Sequence, residues 1–146
     1  MLYLYRSLGA AIAIAIMEWL AGMIDEPTSH IPFVTSIILV MALPDAAPSR
    51  PKAIIGGHLI SAAAGWLVVA FYHPGEASAA MAVGLATIGM LVSNTLHPPA
   101  GINAFLVASI GLSWRWIASP VLAGAILLAA YSMLWSKGEK WIEPGS

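Results

Sequence analysis

Six apolar runs separated by short polar, Pro- or Gly-bearing stretches account for most of the chain: about Leu8 to Ile24, Ile31 to Leu43, Ala53 to Tyr72, Ala77 to Val92, Pro98 to Leu112, and Ile117 to Trp135. Four are long enough, as helices, to approach or complete a membrane span. Two are shorter. The run Ile31 to Leu43 holds 13 residues, which at about 1.5 Å per residue reaches roughly 20 Å, against a hydrocarbon core of roughly 30 Å. Each short run starts at a His-x-Pro, His30-Ile31-Pro32 in one case and His97-Pro98-Pro99 in the other. The pattern predicts an all-α membrane protein with four long transmembrane helices plus two short Pro-started segments.

The two short runs are related. Gly22/Gly89, Met23/Met90, Thr28/Thr95, His30/His97, Pro32/Pro99, Leu39/Leu106 and Val40/Val107 are identical pairs at one offset of 67 residues, and Ala13/Ala80, Gly57/Gly124, Ala62/Ala129 and Ala63/Ala130 extend the register. Alanine, leucine and valine matches are cheap in so apolar a chain, but the shared Thr-x-His-x-Pro is not. An internal duplication is therefore expected, with repeat one over about residues 8–72 and repeat two over about 77–135 of a single transmembrane domain spanning residues 1–146. Related halves that each carry a broken hydrophobic segment point to a transport site where the halves meet.

Composition fixes the solvent. Hydrophobic residues make up 60% of the 146 and charged ones 9%, too few to give a water-soluble domain of this size a polar shell. The net charge of −1 lacks the basic footprint of a nucleic-acid binder, and the absence of cysteine removes disulfides and thiolate metal sites. Arg6 followed by Leu8 to Ile16 resembles a cleaved signal with Ala11-Ile12-Ala13 as its small-residue site, yet the repeat needs this segment as the partner of Ala77 to Val92. If all six runs cross and the N-terminus is cytoplasmic, Arg6, Arg50, Lys52, Lys137 and Lys140 lie inside, and Arg115 lies outside with Asp25, Glu26 and Glu76. The positive-inside rule prefers this arrangement to re-entrant short segments. Three crossings per half make the duplication a 3+3 inverted repeat, with His30 and His97 approaching the middle from opposite faces.

The broken segments carry the candidate chemistry. Pro32, and Pro98 with Pro99, suit a first helical turn, where a missing N–H is no loss. A helix N-terminus in a low-dielectric cavity favours a small anion through its partial positive charge and unpaired N–H groups. His30, Thr95, His97 and Gly101 flank these starts, and Thr35, Ser36 and Asn103 lie about one turn in, Ser36 and Asn103 being register partners. The competing reading is a Pro-induced kink whose histidines only cap a helix; two such pairs in one register favour a site. Glu18, in an apolar helix, and His58, following Gly56-Gly57, are proton-relay candidates, although Glu18 beside Trp19 also suits a side chain snorkelling to the interface. Gly57, Ser61 and Gly65 form a small-residue face for close helix packing.

The stretch Thr95-Leu96-His97-Pro98-Pro99-Ala100-Gly101 resembles the signature of the HPP family of small integral membrane proteins. Pro32-Phe33-Val34-Thr35-Ser36, and Pro48-Ser49-Arg50-Pro51 leading into Ile55-Gly56-Gly57-His58-Leu59-Ile60-Ser61-Ala62, agree in order and spacing. The resemblance covers about residues 8–135 and implies a membrane protein usually described with four transmembrane helices, whose best characterised activity is nitrite transport in the plastid and cyanobacterial branch. The chain departs from the family's small-residue run after the motif at Ile102, Asn103 and Phe105, which bears on substrate. The expectation is a small-anion permease rather than an enzyme, without a cofactor, in a bacterial inner membrane and as a homo-oligomer, with nitrite or a similar monovalent oxyanion as substrate. The alternative is a metal-binding membrane protein or enzyme using Glu18, His30, His58 and His97, none of which are paired at the i, i+4 spacing of a helix-borne site.

Overall fold

A computed structural model describes residues 1–24 and 30–142, so Asp25, Glu26 and Thr28 lie outside the described residues. Those described form six helices and no strand: α1 (Leu2–Ile24), α2 (Ile31–Ala42), α3 (Pro51–Val69), α4 (Glu76–Val92), α5 (Gly101–Ile110) and α6 (Ala123–Ile142). Proline starts three of the runs. Pro32 lies in the first turn of α2, Pro51 opens α3, and Pro98 opens a 3-10 turn, Pro98–Ala100, that leads into α5. Gly111, in the left-handed region at φ 73°, ends α5 and returns its N–H to Val107 O. The last helix is broken near its start, where Ser119 (φ −142°, ψ 120°) leaves helical geometry before Pro120.

Hydrogen bonds between helix ends give the direction of each helix. Arg6 near the start of α1 pairs with Glu139 near the end of α6 and donates to Ala42 O at the end of α2. Lys52, at the start of α3, donates to Ser93 O just past α4. At the other end of the bundle, Gly75 N before α4 donates to Ala108 O near the end of α5, and Glu18 reaches His30 before α2. Successive helices thus alternate in direction, the two short ones included.

Among the described residues, three helical stretches are long and apolar enough to cross a membrane: Leu2–Met23, Pro51–Val69 and Ile117–Glu139. The fourth run expected to be long forms α4, whose 17 residues reach about 25 Å. Packing differs between the two sides of the bundle. The core among α1, α2 and α6 uses large side chains, Phe33, Ile37, Met41 and Leu128, joined by Ile54 of α3. Between α3, α4 and α5 the core is mostly alanine: Ala64, Ala79, Ala82, Ala86, Ala104 and Ala108. Small residues allow backbones to approach where lipid supplies no hydrophobic drive for association. A Cβ on Gly65 would stand 2.9 Å from Ala104 O and 2.8 Å from Val107 Cβ, and Ser61 Oγ accepts from Ala104 N at 3.1 Å. Element by element, α1 packs on α2 and α6 as α4 packs on α5 and α3, while α3 also meets α6.

The alternation is directly testable because the sequence has no cysteine. Single cysteines at Asp45, between α2 and α3, and at Ser113, after α5, should react with an impermeant thiol reagent from opposite faces of a vesicle. Labelling of both from one face would mean that a short helix re-enters.

Candidate functional site

The Gly56-Gly57 pair at the start of α3 lets the segment before α5 lie directly on that helix. A Cβ on Gly56 would meet Thr95 Cγ2 at 2.7 Å, and one on Gly57 would meet His97 Cβ at 2.7 Å and Thr95 O at 3.1 Å. Asn94 turns the chain through the left-handed region (φ 55°), and Thr95 N–H returns to Met90 O. That turn delivers His97 into the centre of the bundle. His58, one residue after the glycine pair, is brought to the same place by α3.

Four polar side chains meet there: Ser36 of α2, His58 of α3, His97, and Asn103 of α5, each with 0% of its surface exposed. Ser36 Oγ bridges the two imidazoles, 3.0 Å from His58 Nε2 and 2.9 Å from His97 Nε2. His97 Nδ1 lies 2.6 Å from Pro48 O, and His58 Nδ1 lies 2.8 Å from Asn103 Nδ2. Donor and acceptor chemistry fixes the tautomers. A carbonyl only accepts, so His97 carries its proton on Nδ1 and accepts at Nε2. The Asn103 amide donates, so His58 accepts at Nδ1 and donates from Nε2. Every proton in the neutral cluster then points one way, from Asn103 through His58, Ser36 and His97 to Pro48. The Ser36 hydroxyl also lies 3.2 Å from Pro32 O, an alternative acceptor for the same proton.

One atom is left over. Asn103 Oδ1 is buried with no hydrogen-bond partner, a costly state for a carbonyl acceptor. The Phe33 ring stacks on His58 (centroids 4.7 Å, 22°) and also lines a cavity of about 390 Å³ between α1, α2 and the broken start of α6. Gly124 faces that ring so closely that a Cβ there would collide with it.

The histidines expected to pair do not. His30 is near the opposite end of α2 from Ala42, lines the large cavity, and meets Glu18 Oε1 at 3.4 Å; Glu18 therefore serves His30 rather than His58 or His97. Ser36, His58, His97 and Asn103 come together. Thr95 is buried beside them, its hydroxyl 2.6 Å from Ser93 Oγ. Pro32 is buried, whereas Thr35 and Pro98 are exposed and Pro99 and Gly101 are half-buried. At the start of α5 the backbone donors are engaged: Ala100 N–H bonds His97 O, Gly101 N–H bonds Pro98 O and Pro99 O, and both prolines lack one. Polar recognition near His97 therefore falls to side chains. Sequence reasoning assigned no role to Pro48 O or the Phe33 ring, although both residues lie in the stretches that carry the family resemblance. Among the described residues, no three His, Asp or Glu side chains gather in a metal-holding group; Glu18 with His30 and His58 with His97 are two separate pairs.

The family model described as HPP, transmembrane region, matches residues 2–142. The chain belongs to the HPP transmembrane family. Two transmembrane proteins of Dictyostelium discoideum are similar to this HPP chain. One is 32% identical over 105 residues, covering 66% of this chain and 36% of its own length, and the other is 30% identical over 110 residues, covering 70% and 35%. The chain thus spans about a third of the length of the curated relatives it matches. No solved structure matches it. The buried polar cluster falls inside the matched residues, and its His97 is the histidine of the His-Pro-Pro sequence. The family and the apolar helices together make this an integral membrane protein.

Removing the bridge should weaken the fold. Ser36→Ala leaves His58 Nε2 without an acceptor and His97 Nε2 without a donor, a loss of about 1 to 3 kcal/mol for an unsatisfied buried group. Thermal unfolding in detergent, followed by circular dichroism, should show a lower midpoint. An unchanged midpoint would mean that the hydroxyl bridges nothing of consequence.

Proposed function

We propose that this HPP-family protein is a permease for a small monovalent oxyanion, nitrite or a similar ion, moved together with a proton. The observation that carries the reading is the pair of fully buried imidazoles bridged by Ser36 Oγ at 3.0 and 2.9 Å. Ionisable groups within a membrane bundle are rare and mark ion or proton pathways. A proton accepted by either imidazole makes both of its ring nitrogens donors and gives the centre a positive charge, which attracts an anion strongly in a low-dielectric interior. Asn103 Oδ1 supplies the complementary preference: it needs a donor, which a protonated oxyanion brings and a bare one does not. Anion and proton leaving as a neutral acid also avoid moving a net charge through the bundle.

The reading includes an inverted 3+3 architecture, with all six helices crossing and four of them, α4 included, counted as long. It is supported by the 67-residue register, the alternating helix directions, and the matching neighbours of α1 and α4. The positive-inside rule favours a cytoplasmic N-terminus, and the reading includes a bacterial inner membrane and assembly as a homo-oligomer. The cavity ending at Phe33 forms the approach from the His30 side. Phe33 separates that approach from His58.

Purified protein in liposomes, loaded with a pH indicator and challenged with nitrite, formate and nitrate, tests the assignment. Nitrite or formate should enter with one proton each, and nitrate, the anion of a strong acid, should not. His58→Ala and His97→Ala should each reduce uptake by roughly tenfold or more, the scale of one hydrogen bond to a charged group. The double variant should be little worse than either, since both side chains act in one cluster. Normal uptake in both alanine variants, or no flux of any weak-acid anion by the parent protein, would overturn the assignment.

A further inference from the structure

A smaller cavity of about 130 Å³ opens at the end of the bundle where α2 stops and α3 starts, lined by Val40, Ser49, Arg50, Ser132 and Ser136 among others. Its volume equals roughly four water molecules at about 30 Å³ each, room for an anion of three or four heavy atoms. Ser49 is only 5% exposed, yet its hydroxyl has no hydrogen-bond partner. Ser132 and Ser136 donate to carbonyls of their own helix, Ala129 O and Met133 O, and keep acceptor capacity and rotational freedom. Arg50 is among the lining residues, and the planar donor fork of a guanidinium suits a carboxylate-like or phosphate-like ion. The nearest carboxylate along α6, Glu139, one turn beyond Ser136, is held by Arg6 through bonds of 2.9 and 3.2 Å.

The other half of the chain closes the same place. At the 67-residue offset Val40, Ser49 and Arg50 become Val107, Trp116 and Ile117. Trp116 is 3% exposed and packs with Val107 and Ile117 in a hydrophobic cluster. An indole fills there what a serine and an arginine leave open here. The open cavity is also one peptide from the central cluster, since Pro48, whose carbonyl receives His97 Nδ1 at 2.6 Å, precedes Ser49.

We propose that this cavity binds one singly charged oxyanion, held by the Arg50 guanidinium and the Ser49 hydroxyl, on the face that carries Arg6 and Glu139. Its place as a station on the route to His97 rests on the permease reading; the binding itself does not. The ion is a free oxyanion or the phosphodiester of a lipid headgroup, which share this chemistry.

Calorimetry on the full chain in an uncharged detergent separates the sources, with sodium nitrite, sodium formate and short-chain phosphatidylglycerol as probes. Nitrite or formate should bind at one site, Arg50→Gln should weaken binding roughly tenfold or more, and Ser49→Trp should abolish it by filling the cavity. Arg50 is exposed, so its variant tests the site without disturbing the core. Binding of phosphatidylglycerol alone, lost in the same two variants, would support the oxyanion site with lipid as its source. No binding of any probe, or binding unchanged in Arg50→Gln and Ser49→Trp, would overturn it. Flux distinguishes the two proposals: a protein that binds but never transports keeps this site and removes the permease. Conversely, unchanged KM for nitrite uptake in Ser49→Trp removes the station and leaves the permease.

Discussion

Two imidazoles in the middle of an apolar bundle have four ring nitrogens to satisfy, and lipid offers none of the partners. The Ser36 hydroxyl meets one nitrogen of each ring, while Pro48 O and Asn103 Nδ2 take the remaining two. This requirement ties together α2, α3, α5 and the turn before α3. Loss of any member strands a buried polar atom, so the helices that carry them are held in register by hydrogen-bond satisfaction as well as by packing. The unsatisfied atom of this cluster, Asn103 Oδ1, marks where the network remains open to a donor.

The close approaches in the fold serve that centre. Gly56 and Gly57 have no side chain because Thr95 and His97 occupy the space, and the alanines between α3, α4 and α5 allow those helices to pack with little side-chain volume between them. The packing among α1, α2 and α6 is built differently, around Phe33, Ile37 and Leu128, and beside this bulkier core a cavity of about 390 Å³ reaches the Phe33 ring. The two sides of the bundle therefore differ in how they leave space. One packs tightly on small residues and fills its end with Trp116, and the other retains the Phe33 cavity and the Ser49 pocket.

Charge is confined to the ends. Arg6 with Glu139, and Lys52 on Ser93 O, fasten one end of the bundle, and Glu18 with His30 stands at the other. Between them the polar groups of the central cluster are hydroxyl, imidazole and amide side chains joined by hydrogen bonds. Fixed charges at that depth would need partners that this small bundle lacks, whereas imidazole, hydroxyl and amide groups can satisfy one another.

Sequence alone determined the solvent, the helical class and the family. Hydropathy and the rarity of charge depend only on composition and run length, and the ordered motifs around Pro32, His58 and His97 are contiguous stretches of chain. The start of each short helix was equally legible, because proline constrains its own backbone wherever it occurs. Tertiary structure alone decided which polar residues share a site. The register pairs His30 with His97 and Ser36 with Asn103, but the bundle joins Ser36 to His97 and Asn103 through His58, and sends His30 to Glu18. A register in sequence does not imply proximity, since helices running in opposite directions carry corresponding residues to opposite ends. Pro48 O, the Phe33 ring and the open Ser49 hydroxyl lie in the motif stretches, but their roles emerge only once helices distant in sequence are packed around them.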